Sequence, residues 1–544
     1  MQFRTRASLA TATAALLLAA VAGGTPAGAA TPGTTASGAN PTDTTATGAG
    51  TPDAPLAVIS PGDPYAACDL SADGDGTNYP SAEDEPYAAA NPLAPANTIT
   101  IYQQDRWSNG GARGLSSSYT TDGVHFTQTA LPFTHCAPGG LAYQRASDGW
   151  VSFGPDGTAY ASALVFDATT PRSAVAAATS TDGGRSWQHV TELIGDNDPA
   201  ITDDKNAVTA DPVHPGTAYQ VWDRVDQAAG PTPVFDGPGY LSVTRDHGRT
   251  WSPAKPFVIT ATTPNTQTIG NQIVVDPRTD TLYDFFDWIT FTDATATTVS
   301  DVHFGMVSST DQGRTWSQPV RVAADTSVPE VHPNAPTDAT KSLRAGAGLP
   351  SVAIDPQTGE LYLAYEGSES TGGRYDAIQL VHSTDGGRTW SAPTRINQAP
   401  GAPAFTPSIT VTADGTVAVS YYDLRYLTPG DTTTLPTAAW LLSFPRGGEN
   451  SPVERQISPV FDWLKAPFAG GHFLGDYEAL ITDGHRIRPV LVTAGADPLN
   501  STDVYSGRFR PDTLRSPAAG APTDQAARTG APAAGPRAVQ HLRR

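Results

Sequence analysis

The 544-residue sequence predicts an all-β protein, a β-propeller of four-stranded antiparallel blades. Three observations support this prediction. An eight-residue segment occurs four times, and its final tryptophans stand 64, 65 and 74 residues apart. Each copy follows two segments of strand composition that are separated by a turn with Asp-Pro or Asp-Gly. No helical period competes with the strand pattern in this part of the chain.

The repeated octet has the composition of a hairpin turn. Its copies read STDGGRSW (180–187), TRDHGRTW (244–251), STDQGRTW (309–316) and STDGGRTW (383–390). The aspartate is expected to accept hydrogen bonds from turn amides, the second glycine position to adopt positive φ, and the tryptophan to pack back on the sheet. The residues given this structural role are Asp182, Trp187, Asp246, Trp251, Asp311, Trp316, Asp385 and Trp390. TTDGVHF (120–126) is interpreted as a degenerate fifth copy.

Seven segments read as strand, turn and strand. They cover 87–105, 149–166, 206–223, 271–288, 350–367, 407–423 and 477–495, and five of them precede a hairpin of the octet type. The count predicts seven blades, with six as the alternative. The last unit lacks a fourth strand, which PLAVIS (55–60) would supply. That pairing would close the ring and remove exposed sheet edges.

The two ends of the chain differ from the repeat region. Residues 1–29 have two arginines, a short apolar run and an Ala-Gly-Ala cleavage site, which is typical of a signal peptide. Residues 30–54 and 513–544 are rich in small residues and proline and are expected to be disordered. The propeller is therefore assigned to 55–512. Since no later apolar run is long enough to span a bilayer, we expect a secreted, extracellular monomer without a membrane span.

Charge and cysteine content exclude several classes of function. The formal net charge of −21 argues against nucleic-acid binding. Two cysteines in an exported chain predict one disulfide, Cys68–Cys136, rather than a catalytic thiol. The histidines show no metal-binding spacing, so no metal or cofactor is expected. Structural calcium at DGDGT (73–77) or DNDPAITDD (196–204) is the alternative to solvated acidic loops.

Functional residues are expected at the face opposite the octets, where second strands end and the next first strands begin. Charged residues lie at nearly all of these points. Second strands end with Asp105, Arg106, Asp167, Asp223, Arg224, Asp287, Glu366, Asp423 and Arg425. First strands begin with Glu83, Asp84, Glu85, Arg145, Asp148, Asp203, Asp204, Lys205, Arg344, Asp476, Tyr477 and Glu478. This pattern predicts a polar funnel for a sugar or an anionic group, although Asp–Arg pairs that bridge blades would give the same pattern.

The octet S-x-D-x-G-x-T-W resembles the Asp-box, or BNR, repeat of the sialidase superfamily, and the resemblance covers roughly residues 78–512. It implies an arginine triad for the substrate carboxylate, a tyrosine nucleophile activated by a glutamate, and an aspartate as acid and base. By residue type and position, the catalytic residues are then Tyr477, Glu366 and Asp84. The substrate-binding residues are Arg106, Arg224, Arg425, Asp105, Asp223, Asp423 and Asp476. The family's Phe/Tyr-Arg-Ile-Pro motif is absent, and the corresponding region reads NYPSAEDEPYAAANP (78–92).

The function expected from this sequence is that of a secreted, sialidase-like exo-glycosidase acting on an extracellular glycan or glycoconjugate. The first alternative is a non-catalytic propeller that binds glycans or proteins, and the second is a polysaccharide lyase on the same architecture.

Overall fold

The computed structural model describes residues 54–71, 73–227, 235–258, 265–483 and 486–511. The predicted signal peptide, the predicted linker apart from its last residue, and the predicted tail lie outside these residues. Within the described ranges, no helix has the length and apolar character needed to cross a membrane.

The chain forms β-strands that group, in chain order, into four-stranded antiparallel sheets. Strand β1 (Ala54–Val58) comes first. The first sheet has β2 (Glu83–Asn91), β3 (Ala94–Arg106), β4 (Ala112–Thr120) and β5 (Phe126–Ala130). The second has β6 (Arg145–Phe153), β7 (Ala159–Phe166), β8 (Ser173–Ser180) and β9 (Gln188–Asp196). The third has β10 (Ile201–Ala210), β11 (Ala218–Asp226), β12 (Gly239–Thr244) and β13 (Lys255–Val258).

The second half of the chain continues the same order. The fourth sheet has β14 (Thr266–Asp276), β15 (Thr281–Phe291), β16 (Val299–Ser309) and β17 (Val320–Ala324). After β18 (Leu343–Arg344), the fifth has β19 (Ser351–Ile354), β20 (Leu361–Gly367), β21 (Ala377–Ser383) and β22 (Thr394–Arg395). The sixth has β23 (Ala404–Val411), β24 (Thr416–Asp423), β25 (Pro436–Pro445) and β26 (Val453–Gln456), with β27 (Phe461–Asp462) at its side. Then come β28 (His472–Phe473), β29 (Ala479–Asp483), β30 (Arg486–Asp497) and β31 (Asn500–Arg508). Three 3-10 helices cover Ala339–Lys341, Glu369–Thr371 and Trp463–Lys465.

The last sheet joins the two ends of the described chain. Its strand order is β1-β31-β30-β29, and Val58 of β1 lies opposite Tyr505 of β31. The fourth strand of this sheet therefore comes from the N-terminal segment, as expected for residues 55–60. The prediction of an all-β chain built from four-stranded antiparallel sheets is confirmed, and the number of blades stays a prediction.

The innermost strands lie side by side. Contacts link β2 to β6, β6 to β10, β10 to β14, β14 to β19, β19 to β23, β23 to β29, and β29 to β2. The apolar core fills the spaces between neighbouring sheets. In one such space, Val221 and Leu241 of the third sheet pack with Ile273 and Phe286 of the fourth. Because both faces of each sheet are covered, the strands are rich in buried valine, leucine and tyrosine.

The octets form the expected turns. In the third copy, Asp311 accepts hydrogen bonds from Thr315 N at 2.9 Å and from Thr315 Oγ1 at 2.7 Å. Gly313 has a φ of 78°, a conformation that glycine adopts without strain. The shorter copy keeps the pattern, since Asp122 accepts from His125 N at 2.8 Å.

The tryptophans pack between their own sheet and the preceding one, and the expected packing on the own sheet is seen for Trp251, whose cluster has Val208, Ala210 and Ala218. Trp316 follows the fourth sheet's third strand, yet its ring lies 4.8 Å from that of Phe257 in the third sheet. Trp390 contacts Phe285 of the fourth sheet in the same way, at 5.8 Å. Each octet thus fastens its sheet to the preceding one.

The disulfide Cys68–Cys136 is confirmed, with a Cα–Cα distance of 5.4 Å. It links the segment after β1 to the loop that follows the first sheet. The two cysteines are separated by 68 residues in the sequence.

Candidate functional site

Five innermost strands have a β-bulge near their first residues. The bulges lie between Asp84 and Tyr87, Ser147 and Trp150, Asp204 and Ala207, Ile269 and Gln272, and Phe405 and Ser408. One residue in each bulge has positive φ: Glu85 (49°), Asp148 (52°), Lys205 (48°), Gly270 (72°) and Thr406 (52°). Four of these five are not glycine, although the conformation costs a side-chain-bearing residue about 1–2 kcal/mol. Backbone strain of this kind often occurs at functional sites.

Charged side chains from these bulges meet at one point with Arg344 and Asp476. Glu85, Asp148, Lys205, Arg344 and Asp476 form what we name the hub cluster. Lys205 Nζ lies 2.7 Å from Asp476 Oδ2. The same nitrogen is 3.6 Å from Glu85 Oε1 and 3.9 Å from Asp148 Oδ1. One ammonium group therefore lies within 4 Å of carboxyl groups from three separate segments of the chain.

Asp476 holds a second cation. Arg344 Nε donates to Asp476 Oδ1 at 2.9 Å, and Arg344 Nη2 donates to Asp476 Oδ2. This fork geometry is the strong form of an ion pair. The side chain of Arg344 is 22% exposed and that of Lys205 is 9% exposed, so solvent reaches the hub cluster through its cations.

The carboxyl groups of the hub cluster differ in the direction in which their pKa values are shifted. Burial acts to raise the pKa of Asp476, but Arg344 and Lys205 hold that pKa far below its usual range. Burial also opposes ionisation of Asp148, yet Lys205 keeps its pKa below the ordinary value. For Glu85 burial outweighs the attraction of Lys205, and its pKa is raised well above the ordinary value.

Asp204 adjoins the hub cluster and is partly exposed. Lys205 N donates to Asp204 Oδ1 at 2.9 Å and to Asp148 Oδ2 at 3.2 Å, so the two carboxyl groups lie side by side. Burial, followed by repulsion from Asp148, raises the pKa of Asp204 to about 7. This carboxyl is thus about half protonated at neutral pH, beside an ionised neighbour. Such pairs with separated pKa values are typical of acid–base sites.

Arg106 and Asp84 lie deeper beside the hub cluster. Arg106 Nε is 3.9 Å from Asp84 Oδ2, and Arg106 Nη1 donates to Gln103 Oε1 at 2.6 Å. The guanidinium lies 4.6 Å from the ring centre of Phe473, and Arg344 contacts the same ring at 4.4 Å. Burial raises the pKa of Asp84 to about 7, against the attraction of Arg106. Only 2% of the Arg106 side chain is exposed, so its contacts are internal.

Tyr477 lines a narrow cavity at the inner end of the hub cluster. Its ring packs edge-on against Trp150 at 5.2 Å, and Lys205 Nζ is 5.7 Å from its centre. Tyr477 Oη is buried and has no hydrogen-bond partner among the described residues, and burial raises its pKa well above 10. The cavity, of about 50 Å³, is also lined by Tyr87 and Gln272. This volume holds a few water molecules but not a sugar ring.

Glu366 belongs to a different acidic group. Its Oε1 accepts from Thr406 N at 2.7 Å, and its Oε2 is buried without a partner. Burial raises the pKa of Glu366 well above the ordinary value, and repulsion from Glu330 and Asp376 adds to the effect. Since Tyr477 Oη makes no hydrogen bond, Glu366 and Tyr477 are not joined as an activated pair in this structure.

The three predicted arginines do not converge. Arg224 Nη1 lies 2.7 Å from Asp196 and 3.0 Å from Asp203, so it bridges the second and third sheets. Arg425 binds Asp423 and Glu454 of its own sheet. The Arg224 pairs bridge neighbouring sheets, as the alternative interpretation of the Asp–Arg pattern describes, whereas the Arg425 pairs lie within one sheet.

Three predicted aspartates also have local partners. Asp105 Oδ2 lies 3.0 Å from Arg113 Nη1. Asp223 accepts from Thr268 Oγ1 at 2.9 Å and from Gly270 N at 2.7 Å. Asp423 binds Arg425. Of the predicted site residues, the structure brings together Asp84, Arg106, Asp476 and Tyr477.

Four members of the hub cluster are among the charged residues at which first strands begin, but they are not among the predicted catalytic or substrate-binding residues. They are Glu85, Asp148, Lys205 and Arg344. Their common signal was a charged residue near the start of each unit. Trp150 had no such signal, because its place in the cavity depends on the bulge.

Metal-binding groups are few among the described residues. One group of three ligand-type side chains lies within metal-binding spacing there, namely Cys68, His135 and Cys136, and its two sulfurs form the disulfide. In the acidic segments, Asp73 pairs with His135 at 3.0 Å and Asp196 pairs with Arg224. Structural calcium stays a prediction.

No protein-family model matches the chain, and no curated protein matches it. Several solved structures have a similar fold. A protein of unknown function from Dyadobacter fermentans has a TM-score of 0.43 and 10% identity, with 84% of this chain and 98% of that chain covered. The Hadza microbial sialidase Hz136 has a TM-score of 0.44 and 15% identity, with coverages of 78% and 75%. The intramolecular trans-sialidase from Ruminococcus gnavus has a TM-score of 0.39 and 14% identity, with coverages of 83% and 99%. These values identify neither a family nor an activity.

Proposed function

We propose that the protein is a secreted exo-glycosidase on a closed seven-bladed β-propeller, with its active centre at the hub cluster and Asp204. The blade count is supported by the chain of innermost-strand contacts, which passes through all seven sheets and from β29 back to β2. A six-bladed ring would leave one of these sheets outside it. Export is supported by the disulfide and by the composition of residues 1–29.

One observation carries the catalytic proposal: Asp204 and Asp148 converge on one backbone N–H where the hub cluster meets solvent, with Lys205 N 2.9 Å from Asp204 Oδ1 and 3.2 Å from Asp148 Oδ2. Hydrolysis of a glycosidic bond needs a proton donor for the leaving oxygen and a negative charge near the anomeric carbon. A protonated Asp204 supplies the donor. The ionised Asp148, held by Lys205, supplies the charge.

The proposed reaction uses these two groups in turn. Asp204 gives its proton to the glycosidic oxygen as the bond to the anomeric carbon breaks. Asp148 stabilises the positive charge that develops on the sugar. The Asp204 carboxylate then accepts a proton from the attacking water, which restores the starting state. Lys205 keeps Asp148 ionised and is a positioning residue.

Hydrolysis of a panel of aryl glycosides by the secreted chain tests this proposal. Asp204→Asn and Asp148→Asn are expected to lower kcat by about 10²–10⁴. Asp284→Asn is the control, since Asp284 is a buried carboxyl outside the hub cluster that accepts from Asn271 Nδ2 at 2.7 Å. Activity should decline as pH rises through about 7, because Asp204 then loses its proton.

The sequence-based assignment gives a different result in the same assay. Tyr477→Phe and Glu366→Gln would abolish turnover if those residues formed the nucleophile pair. Loss of activity in these variants with retention in Asp204→Asn would reject the hub mechanism, and inactivity of the unaltered protein on every glycoside would reject the enzyme.

A non-catalytic glycan-binding propeller is the second candidate. It is favoured by the small cavity of about 50 Å³ and by the carboxylate-bound arginines Arg224 and Arg425. Binding of glycans on an array, without release of reducing sugar, would support it over the enzyme.

A further inference from the structure

Two neighbouring octets depart from the repeat. The first and last copies have threonine and then glycine around the aspartate, whereas the second copy has Arg245 and His247. The third copy has Gln312 at the position of that glycine. His247 and Gln312 have φ values of 66° and 60°, where Gly183 has 74°. Both residues therefore have a backbone conformation that favours glycine.

The departing side chains contact one another across sheets. Arg245 Nη1 donates to Gln312 Oε1 at 3.0 Å, and Arg245 Nη2 donates to Gln312 O at 3.1 Å. His247 Nε2 lies 2.8 Å from Asp156 Oδ2 of the second sheet. Strained residues persist where surrounding contacts hold them. Here these contacts fix the guanidinium of Arg245 between the third and fourth sheets.

A cleft of about 660 Å³ lies at this position, and we name it the rim cleft. Its lining includes three cations, Arg245, Lys255 and Arg314, together with Trp251 and Pro253. The volume falls within the range of small-molecule binding sites, about 300–1,000 Å³.

The cations of the rim cleft are poorly neutralised from within it. Asp246 is the acidic residue of its lining. Both oxygens of Asp246 are engaged in the turn, by Thr250 N at 2.9 Å and by Thr250 Oγ1 at 2.7 Å. Arg245 directs two of its five N–H donors to Gln312, whose amide oxygen and backbone carbonyl carry no charge.

The rim cleft is separate from the hub cluster. Thr244, the first residue of the second octet, pairs with Ala218, and Ala218 pairs with Ala210 at the far end of β10 from Lys205. The two places therefore lie at opposite ends of the third sheet.

We propose that the rim cleft binds a carboxylated polysaccharide, a run of uronate units, and so holds the protein on an acidic glycan. Guanidinium groups bind carboxylates through paired N–H donors, and the C–H faces of sugars pack on Trp251 and Pro253. The chain as a whole has a formal charge of −21, so the contact is limited to a short acidic segment that lies close to the three cations, within about a Debye length.

Titration of the full secreted chain with polygalacturonate tests the proposal. Arg314→Glu and Lys255→Glu are each expected to weaken binding at least tenfold, and raising salt from 50 to 200 mM should weaken it further. Arg388→Glu is the matched control. Arg388 has the same place in the last octet and also donates to the carbonyl of its own aspartate, but it lies outside the rim cleft. Its affinity should stay within twofold.

Dextran and dextran sulfate separate the remaining explanations. Equal binding to neutral dextran, binding to dextran sulfate alone, no binding to polygalacturonate, or equal loss in Arg388→Glu would each overturn the proposal. Thermal unfolding of the variants checks that they fold, and since Arg314 and Lys255 are exposed, their midpoints should match the unaltered chain. Glycoside hydrolysis is a separate readout, so failure of the hub mechanism leaves this test intact.

Discussion

Lys205 and Asp476 lie 271 residues apart in the sequence, and their side chains form a hydrogen-bonded ion pair of 2.7 Å. The pair connects the third sheet to the segment that precedes the last sheet. Glu85 and Asp148 lie within 4 Å of the same ammonium group. The hub cluster is therefore a charged joint between sheets as well as a candidate active centre.

Replacement of Lys205 by methionine should destabilise the protein by about 3–5 kcal/mol, because it leaves buried carboxylates without their cation. Urea unfolding of purified protein measures the change. Lys341→Met is the control, since Lys341 pairs with Asp338 at 3.1 Å near the surface and should cost less than about 1 kcal/mol. Equal effects of the two substitutions would show that the hub cluster contributes no more to stability than a surface ion pair does.

Two octet glycines provide a matched test of packing. Gly248 and Gly386 have φ values of 74° and 76°, so an alanine at either position meets the same backbone strain of about 1–2 kcal/mol. A Cβ on Gly248 would lie 2.4 Å from Thr179 Cγ2, whereas on Gly386 its nearest neighbour is Tyr283 Oη at 3.2 Å. Gly248→Ala should therefore cost a further 1–3 kcal/mol, roughly, in chemical denaturation. Indistinguishable unfolding midpoints would mean that the octet does not pack against the preceding sheet as described.

Stability should fall between pH 4 and 8 because of Asp223. Burial raises the pKa of this carboxyl to about 8, and bonds from Thr268 and Gly270 oppose the rise. The unfolded chain loses this proton near pH 4 while the folded chain keeps it, so the stabilisation is complete below pH 4 and lost as pH approaches 8. Each pH unit in this window corresponds to about 1.4 kcal/mol.

Asp223→Asn removes this titration, and its free energy of unfolding should fall less steeply from pH 5 to 8. The exposed Asp497→Asn is the control and should follow the unaltered protein. Parallel curves for all three proteins would contradict the raised pKa of Asp223.

Removal of the disulfide should destabilise the protein by about 4 kcal/mol on the loop-entropy model, given the separation of 68 residues. The double variant Cys68→Ala with Cys136→Ala tests this in thermal unfolding. Its reference is the unaltered protein with and without reductant. A change below about 1 kcal/mol would show that the N-terminal segment is held by β1 pairing alone.

The repeat made much of the fold predictable. The spacing of Trp187, Trp251 and Trp316 indicated repeated sheets, and the strand alternation between them placed the strands. Octet turns were predictable because an aspartate and a glycine two residues apart specify them locally. The contacts of Trp316 and Trp390 with the preceding sheet were not, because they depend on how neighbouring sheets pack in space.

The candidate site was predictable only as a region. The sequence determined that charged residues stand at the start of each first strand, since that follows from a repeat read along the chain. The tertiary structure alone decided which of them meet. Register shifts of one residue turn Glu85, Asp148 and Lys205 toward a common point, whereas Arg224 and Arg425 stay bound to nearby carboxylates. A bulge depends on pairing with the neighbouring strand, and an ion pair depends on distance in space, so neither is fixed by local residue order.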